Sequence, residues 1–222
     1  MAPEIMWDEI QRRIWECEAC RGQPRVAIKI RQQTAAPAIH VAVLFVGVAP
    51  PHEGGVCVRT RAKSATNDPS DNLRTFIEEA AASRWDDLIA KGAFRIHAVK
   101  CAIIADDDGF QNPPNPVVDC CSPVGFVDEF QILRPARTVT LGSAARRAVL
   151  NHPAVTVPRG VGVSKPLEDL LNSWPDGIPC SLGTDAFILD PAPFPRSAAT
   201  KRRAATIIRK AVRLAGLVNG AG

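Results

Sequence analysis

The sequence predicts an α/β fold: a single domain with a central four-stranded parallel sheet and helices on both faces. Three observations predict it. Apolar runs of strand length, such as VAVLFVG over 41–47, are continuous rather than alternating, as strands buried on both faces are. Segments with helical spacing of apolar residues alternate with these runs, which is the signature of parallel strands joined by crossover helices. The chain has 222 residues, of which 46% are hydrophobic, enough for one substantial core.

The elements follow in order. Residues 3–18 carry Ile5, Met6, Ile10, Ile14 and Trp15 at roughly helical spacing. The first strand is 41–47, and the Gly-, Pro- and Ser-containing stretch 48–70 is a long functional loop. Ser70 is placed to cap a helix over 71–90. A second strand covers 94–99 (FRIHAV), and 102–119, rich in Asp, Asn and Pro, is expected to be irregular. A helix over 124–134 stops before Pro135, and a third strand, 138–141, leads through Gly142-Ser143 into a short helix ending near Leu150. An irregular connection over 152–165, a short helix over 167–172, a fourth strand over 186–189 and a last helix over 198–217 complete the chain. In open α/β sheets ligands sit at the carboxyl ends of the strands. That rule brings the segments 47–55, 97–101 and 190–194 together.

The formal charge is +4, from 27 Lys and Arg against 23 Asp and Glu, which identifies no partner by itself. Its distribution does more. Residues 196–222 hold Arg196, Lys201, Arg202, Arg203, Arg209, Lys210 and Arg213 and no acidic residue, a one-signed segment suited to phosphates or to a solvated helix face. The N-terminus carries acid early and lacks a secretory signal, and no run approaches the roughly 20 apolar residues of a membrane span. The expectation is a cytoplasmic monomer that does not enter a membrane.

In such a setting seven cysteines point to ligation or burial rather than disulfides. Cys17 and Cys20 form a Cys-x-x-Cys pair, Cys101 follows the second strand, and Cys120 and Cys121 are adjacent. Four thiolates of this kind suit zinc or an iron–sulfur cluster. Cys57 and Cys180 stand alone and read as core thiols.

Six motifs then fall in one order: WECEAC at 15–20, VLFVGVAPP at 43–51, AVKC at 98–101, CSP at 121–123, LRPARTVTLGSAA at 133–145 and DPAPF at 190–194. Together, over residues 3–217, they resemble the iron–sulfur uracil-DNA glycosylases of the uracil-DNA glycosylase superfamily. The resemblance implies a 4Fe–4S cluster, with zinc as the alternative, on Cys17, Cys20, Cys101 and one of Cys120 or Cys121. Cys121 is the choice, because the family's last ligand is commonly followed one residue later by proline, as in Cys121-Ser122-Pro123. The cluster would be structural.

The same resemblance places a base-binding set at Gly47, Val48, Ala49, Pro50, Cys57 and His97. Four positions depart from the family pattern: Val48 replaces an acid, Cys57 an aromatic ring, His97 an asparagine and Asp190 a histidine. Base excision needs a group near the sugar, which gains positive charge, and a donor near the departing base. Asp190 is the candidate carboxylate near the sugar or the attacking water, His97 the donor to the base, and His52 or Glu53 a group to orient water or bind phosphate. Lys201, Arg202 and Arg203 are the expected DNA contacts, with Arg59, Arg61 and Lys63 on the other side. The expected activity is excision of uracil or another damaged base from DNA. The alternatives are a member that binds nucleic acid without cleaving it, and a metal-bearing structural protein.

Overall fold

The computed structural model describes residues 3–23, 25–31, 35–50, 72–104 and 113–218. Helix α1 (Pro3–Glu16) turns into the Cys17–Cys20 segment, and strand β1 (Val26–Arg31) follows. Then come β2 (Val43–Gly47), α2 (Asn72–Ala81), α3 (Trp85–Ala90), β3 (Ala93–His97) and β4 (Cys101–Ile103). Helix α4 (Asn115–Cys121) runs through a 3-10 turn (Ser122–Val124) into α5 (Phe126–Leu133). The chain closes with β5 (Arg137–Leu141), α6 (Ser143–Leu150), β6 (Val155–Thr156), α7 (Leu167–Ser173), β7 (Ile178–Leu182), β8 (Asp185–Ala192) and α8 (Ala198–Leu214).

The main sheet of the described residues has six strands in the order β3-β2-β5-β8-β7-β6, and β1 and β4 pair separately. The four expected strands are β2, β3, β5 and β8, and they form its parallel part. The expected four-stranded sheet is therefore corrected to a mixed one, because β7 joins β8 in an antiparallel hairpin and β6 pairs with β7. Pro179 hid β7 in the sequence. It is tolerated because β6 pairs with Ser181 and Leu182 and, among the described residues, no strand pairs with Pro179 on that side.

Alternation along the strands sorts the core. Val43, Phe45, Val139 and Leu141 face α2, α3 and α8 through Ile77, Trp85, Ala204 and Ile208. Leu44, Val46, Phe94 and Ile96 face the other way, onto Trp7, Val117, Phe126, Phe130 and Ala145. The helices thus cover both faces, as expected for parallel strands. No helix among the described residues is long and apolar enough to cross a membrane.

Two further expectations need correction. The helix over 71–90 is two helices, broken where Ala82 takes φ 52°. The Glu78 carboxylate accepts the Trp85 N–H at 2.7 Å and so starts α3. The segment 102–119 is not wholly irregular, since β4 and the start of α4 lie in it. Pro114 and Pro116 stand at the cap and in the first turn of α4, where a missing N–H costs nothing.

Candidate functional site

The β1–β4 pairing lays the chain that leaves the Cys17–Cys20 turn against Cys101, and α4 delivers Cys120 and Cys121 to the same place. Cys20, Cys101 and Cys121 are buried, whereas Cys17 and Cys120 are half-buried, and all five are free thiols. The Cys20 thiol lies against those of Cys121 and Cys120, and Cys121 lies against Cys101 as well. The Lys100 N–H donates to Cys121 Sγ at 3.2 Å. Hydrogen bonds from Cys101 and Cys20 hold the Cys121 thiol well below its ordinary pKa, and the Cys20 thiol is raised in turn. These contacts are pairwise. Among the described residues no three His, Cys, Asp or Glu side chains are arranged around a common centre as an ion site.

A buried polar network braces this region. The Lys100 ammonium is paired with the Glu129 carboxylate, and both side chains are almost wholly buried. Gln11 Nε2 of α1 donates to the other Glu129 oxygen at 2.7 Å. Helix α1, which leads into the Cys-x-x-Cys turn, is thereby fixed to α5 and to the residue preceding Cys101.

At the carboxyl ends of the strands Gly47 and His97 are register partners. A Cβ on Gly47 would lie 2.7 Å from His97 Cδ2, so the imidazole packs directly on the glycine. Burial, then the nearby Arg95 and Lys100 charges, pull the His97 pKa well below 6.5, so the ring is neutral. Val48 is buried in the core, Ala49 packs against it and Pro50 is buried. The carbonyls of Gly47 and Val48 accept the N–H groups of Ala98 and Val99. His52, Glu53, Cys57, Arg59, Arg61 and Lys63 lie outside the described residues.

Asp190 is not with them. Strand β8 runs on to Ala192, so Asp190 sits inside the ladder opposite Val139, and Ala192 is the residue level with the strand ends. The Asp190 carboxylate is buried and receives Arg137 Nε at 2.6 Å and Nη2 at 3.1 Å. Burial raises its pKa and Arg137 opposes that rise. Strand β5 separates β8 from β2, so Asp190 and His97 stand on non-adjacent strands.

The carboxyl ends of β5 and β8 open instead on a cavity of about 280 Å³, lined by Gly142, Ser143, Arg146, Phe194, Arg196 and Thr200 among others. Among the described residues no acidic side chain lines it. Arg146 Nη2 donates to the Val163 carbonyl at 3.2 Å, while its buried Nε has no hydrogen-bond partner among the described residues. The Arg196 guanidinium lies 5.5 Å from the ring centre of Phe194, which is partly exposed. Helix α6 begins at this cavity without an acidic residue in its first turn, leaving its positive end uncompensated. Helix α8 also begins here, but Ser197 and Thr200 cap it reciprocally.

The cations of α8 divide into two groups. Lys201, Arg202 and Arg213 are exposed. Arg203 is paired with Glu168, Arg209 Nε donates to the Ala80 carbonyl, and Lys210 is bonded to Asp176 and to the Pro175 carbonyl. Arg137 and Arg146 were not singled out as site residues in the sequence. For Arg137 a signal existed: a charged residue opening an apolar strand, RTVTL, calls for a buried partner. Cys180 is a core thiol, and burial pushes its pKa up to about 12.

Comparison with family models and with curated proteins finds no match to this chain.

Proposed function

We propose that this chain is a DNA-binding protein of the uracil-DNA glycosylase type, which takes up a nucleotide at the carboxyl edge of its sheet and excises a damaged base. The observation that carries the binding half is the cavity between β5, β8, α6 and α8. It offers two arginines, an uncompensated helix N-terminus, an exposed aromatic ring and, among the described residues, no carboxylate. A phosphate suits the first two, and a base stacks on the third. Lys201 and Arg202 extend the same positive surface along α8.

A second reading, binding without cleavage, is favoured by one specific contact. Arg137 engages both oxygens of Asp190, the residue expected to serve the sugar or the water. The deciding experiment is a panel of oligonucleotides carrying uracil, hypoxanthine, xanthine or a mismatch, in single and double strands. Abasic sites on any of them establish excision. DNA binding without abasic sites establishes the second reading, and no DNA binding at low salt defeats both.

We further propose that Cys17, Cys20, Cys101 and Cys121 hold a structural 4Fe–4S cluster, with zinc as the alternative metal. The donor set suits it in residue type: three buried thiols, Cys20 and Cys101 each beside Cys121, which also accepts the Lys100 N–H. When bound, the group would tie α1 to β4 and α4. Protein purified without oxygen should then contain iron and absorb broadly near ~400 nm. Stoichiometric zinc in a colourless protein would replace the cluster with the alternative.

A further inference from the structure

We infer that the outward face of α8 is a track for single-stranded DNA, carried by Arg202, Arg209 and Arg213 and leading from the cavity down the helix to the opposite edge of the sheet. The track rests on the proposed uptake of DNA at the cavity and adds to it a second stretch of contact, remote from the site.

Helix α8 begins at the cavity, where Arg196 and Thr200 form part of the lining. Its buried side, Ala204, Ile208, Ala211 and Val212, packs on β5 and β8. Just beyond its end the Leu217 carbonyl accepts Lys91 Nζ at 3.0 Å, and Lys91 lies shortly before β3, at the amino edge of the sheet. The helix therefore runs the height of the sheet, away from the cavity. Arg202, Thr206, Arg209 and Arg213 are all exposed and recur at helical spacing. That spacing puts them in one row, on the side opposite the buried residues. At 1.5 Å per residue the row is roughly 16 Å long.

The helix does not neutralise its own row. Arg209 and Arg213 form a like-charged i,i+4 pair, which destabilises a helix. Helix α1 shows the opposite arrangement, because its exposed Arg12 is paired with both Glu9 and Glu16. Among the described residues Arg202 and Arg213 have no ion-pair partner, and Arg209 makes one bond, from Nε to the Ala80 carbonyl at 3.3 Å. A phosphate chain supplies the missing charge.

The surroundings select a single strand. Carboxylates border the row: Glu168 and Asp176 on one flank, where they hold Arg203 and Lys210, and exposed Glu79 next to Ala80 on the other. They leave a narrow path and repel a broad duplex. The row also runs away from the sheet edge instead of along it. A nucleic acid that enters the cavity must bend sharply to follow it, which a stiff duplex resists. No aromatic side chain stands in the row, so contact there is with phosphates and independent of sequence.

The test measures binding of labelled oligothymidylates, from a trinucleotide upward, with duplexes of matching length alongside. The proteins are wild type, Arg213→Gln, the Arg209→Gln/Arg213→Gln double variant, and Arg12→Gln on the opposite face. Wild-type affinity should climb with strand length beyond the trinucleotide and then level off. Arg213→Gln should leave trinucleotide binding unchanged and should level off at a shorter length. On long strands it should lower the salt slope by about 0.7, the value of one single-strand phosphate contact. The double variant should lower the slope further, and Arg12→Gln should not change it. Should loss of the Ala80 bond unfold the double variant, Arg213→Gln alone still decides. Length-independent binding, or an unchanged long-strand slope in Arg213→Gln, would overturn the track while sparing the proposed uptake at the cavity. Duplexes that lose as much affinity in Arg213→Gln, or polyglutamate held as tightly as a strand of equal charge, would overturn the assignment to single-stranded DNA. No binding of any strand at low salt would defeat the uptake at the cavity and the track with it.

Discussion

Arg137 clasps Asp190 across the β5–β8 ladder with two hydrogen bonds, at 2.6 Å and 3.1 Å, and both side chains are about nine-tenths buried. Gly177 closes over the pair, so that even a Cβ there would meet Asp190 Oδ1 at 2.7 Å. The Arg137 Nη2 group also donates to the Asp176 carbonyl at 2.6 Å, and Asp176 in turn binds Lys210 of α8. The carboxylate that the sequence offers for chemistry is therefore tied into a scaffold linking two parallel strands, the β7 hairpin and the last helix.

Removing either partner should cost about 3–5 kcal/mol, because the other charge is then buried without compensation. Arg137→Ala and Asp190→Asn should each lower the urea midpoint, and the double variant should lose much less than the sum. The same series separates structure from catalysis. An Asp190→Asn protein of wild-type stability that has lost excision would mark the carboxylate as catalytic instead.

Acid should weaken the fold through His97. Its folded pKa is held well below the ordinary 6.5, while the unfolded chain takes up its proton near that value. The stabilising contribution is therefore complete above about pH 6.5 and is lost as pH falls toward the folded pKa, by at most about 1.4 kcal/mol per pH unit. His152 is shifted in the same direction by burial and adds to the slope. Denaturation midpoints measured from pH 7.5 to 5 should decline, and His97→Gln should reduce the decline. An unchanged slope in that variant would place the proton uptake elsewhere.

DNA affinity should fall steeply with salt, but the cations of α8 should not contribute equally. Lys201→Glu and Arg202→Glu should each reduce the slope of log K against log salt by about one. Arg203→Glu and Lys210→Glu should do less, because Glu168 and Asp176 already engage those side chains. Equal effects from all four would show that these exposed pairs open on binding, as weak surface pairs do.

The contrast between the four parallel strands and the rest shows what the sequence can carry. β2 is a short apolar run ending in glycine, and burial on both faces writes itself directly into its composition, while β5 is marked by β-branched residues between Pro135 and Gly142. The antiparallel edge leaves no such mark: β6 is two residues long and β7 contains Pro179. The gathering of Cys20, Cys101 and Cys121 was legible from their spacing and from the resemblance. The partner of Asp190 was not, because an ion pair 53 residues apart depends on strand order, which local pattern does not encode. The same holds for the cavity, whose Arg146 and Arg196 meet only through the adjacency of β5 and β8.

Gly142 offers a direct test of that cavity. It caps α6 with φ +100°, and a Cβ there would lie 3.2 Å from Val48 Cγ2 and 3.3 Å from Phe194 Cβ. Gly142→Ala thus combines a left-handed strain of about 1–3 kcal/mol with a forced shift of Phe194 or Val48. Gly160 has a similar φ of +88° but nothing within 4 Å of a Cβ, so Gly160→Ala carries the strain alone. Both variants should lose stability in denaturant, Gly142→Ala the more. Only Gly142→Ala should weaken DNA binding, because only there does the added carbon displace the ring beside Arg196 and crowd the start of α6. The salt slope should stay at its wild-type value, since no cation is removed. Equal affinity in the two variants, with both folded, would show that DNA does not enter between Gly142 and Phe194.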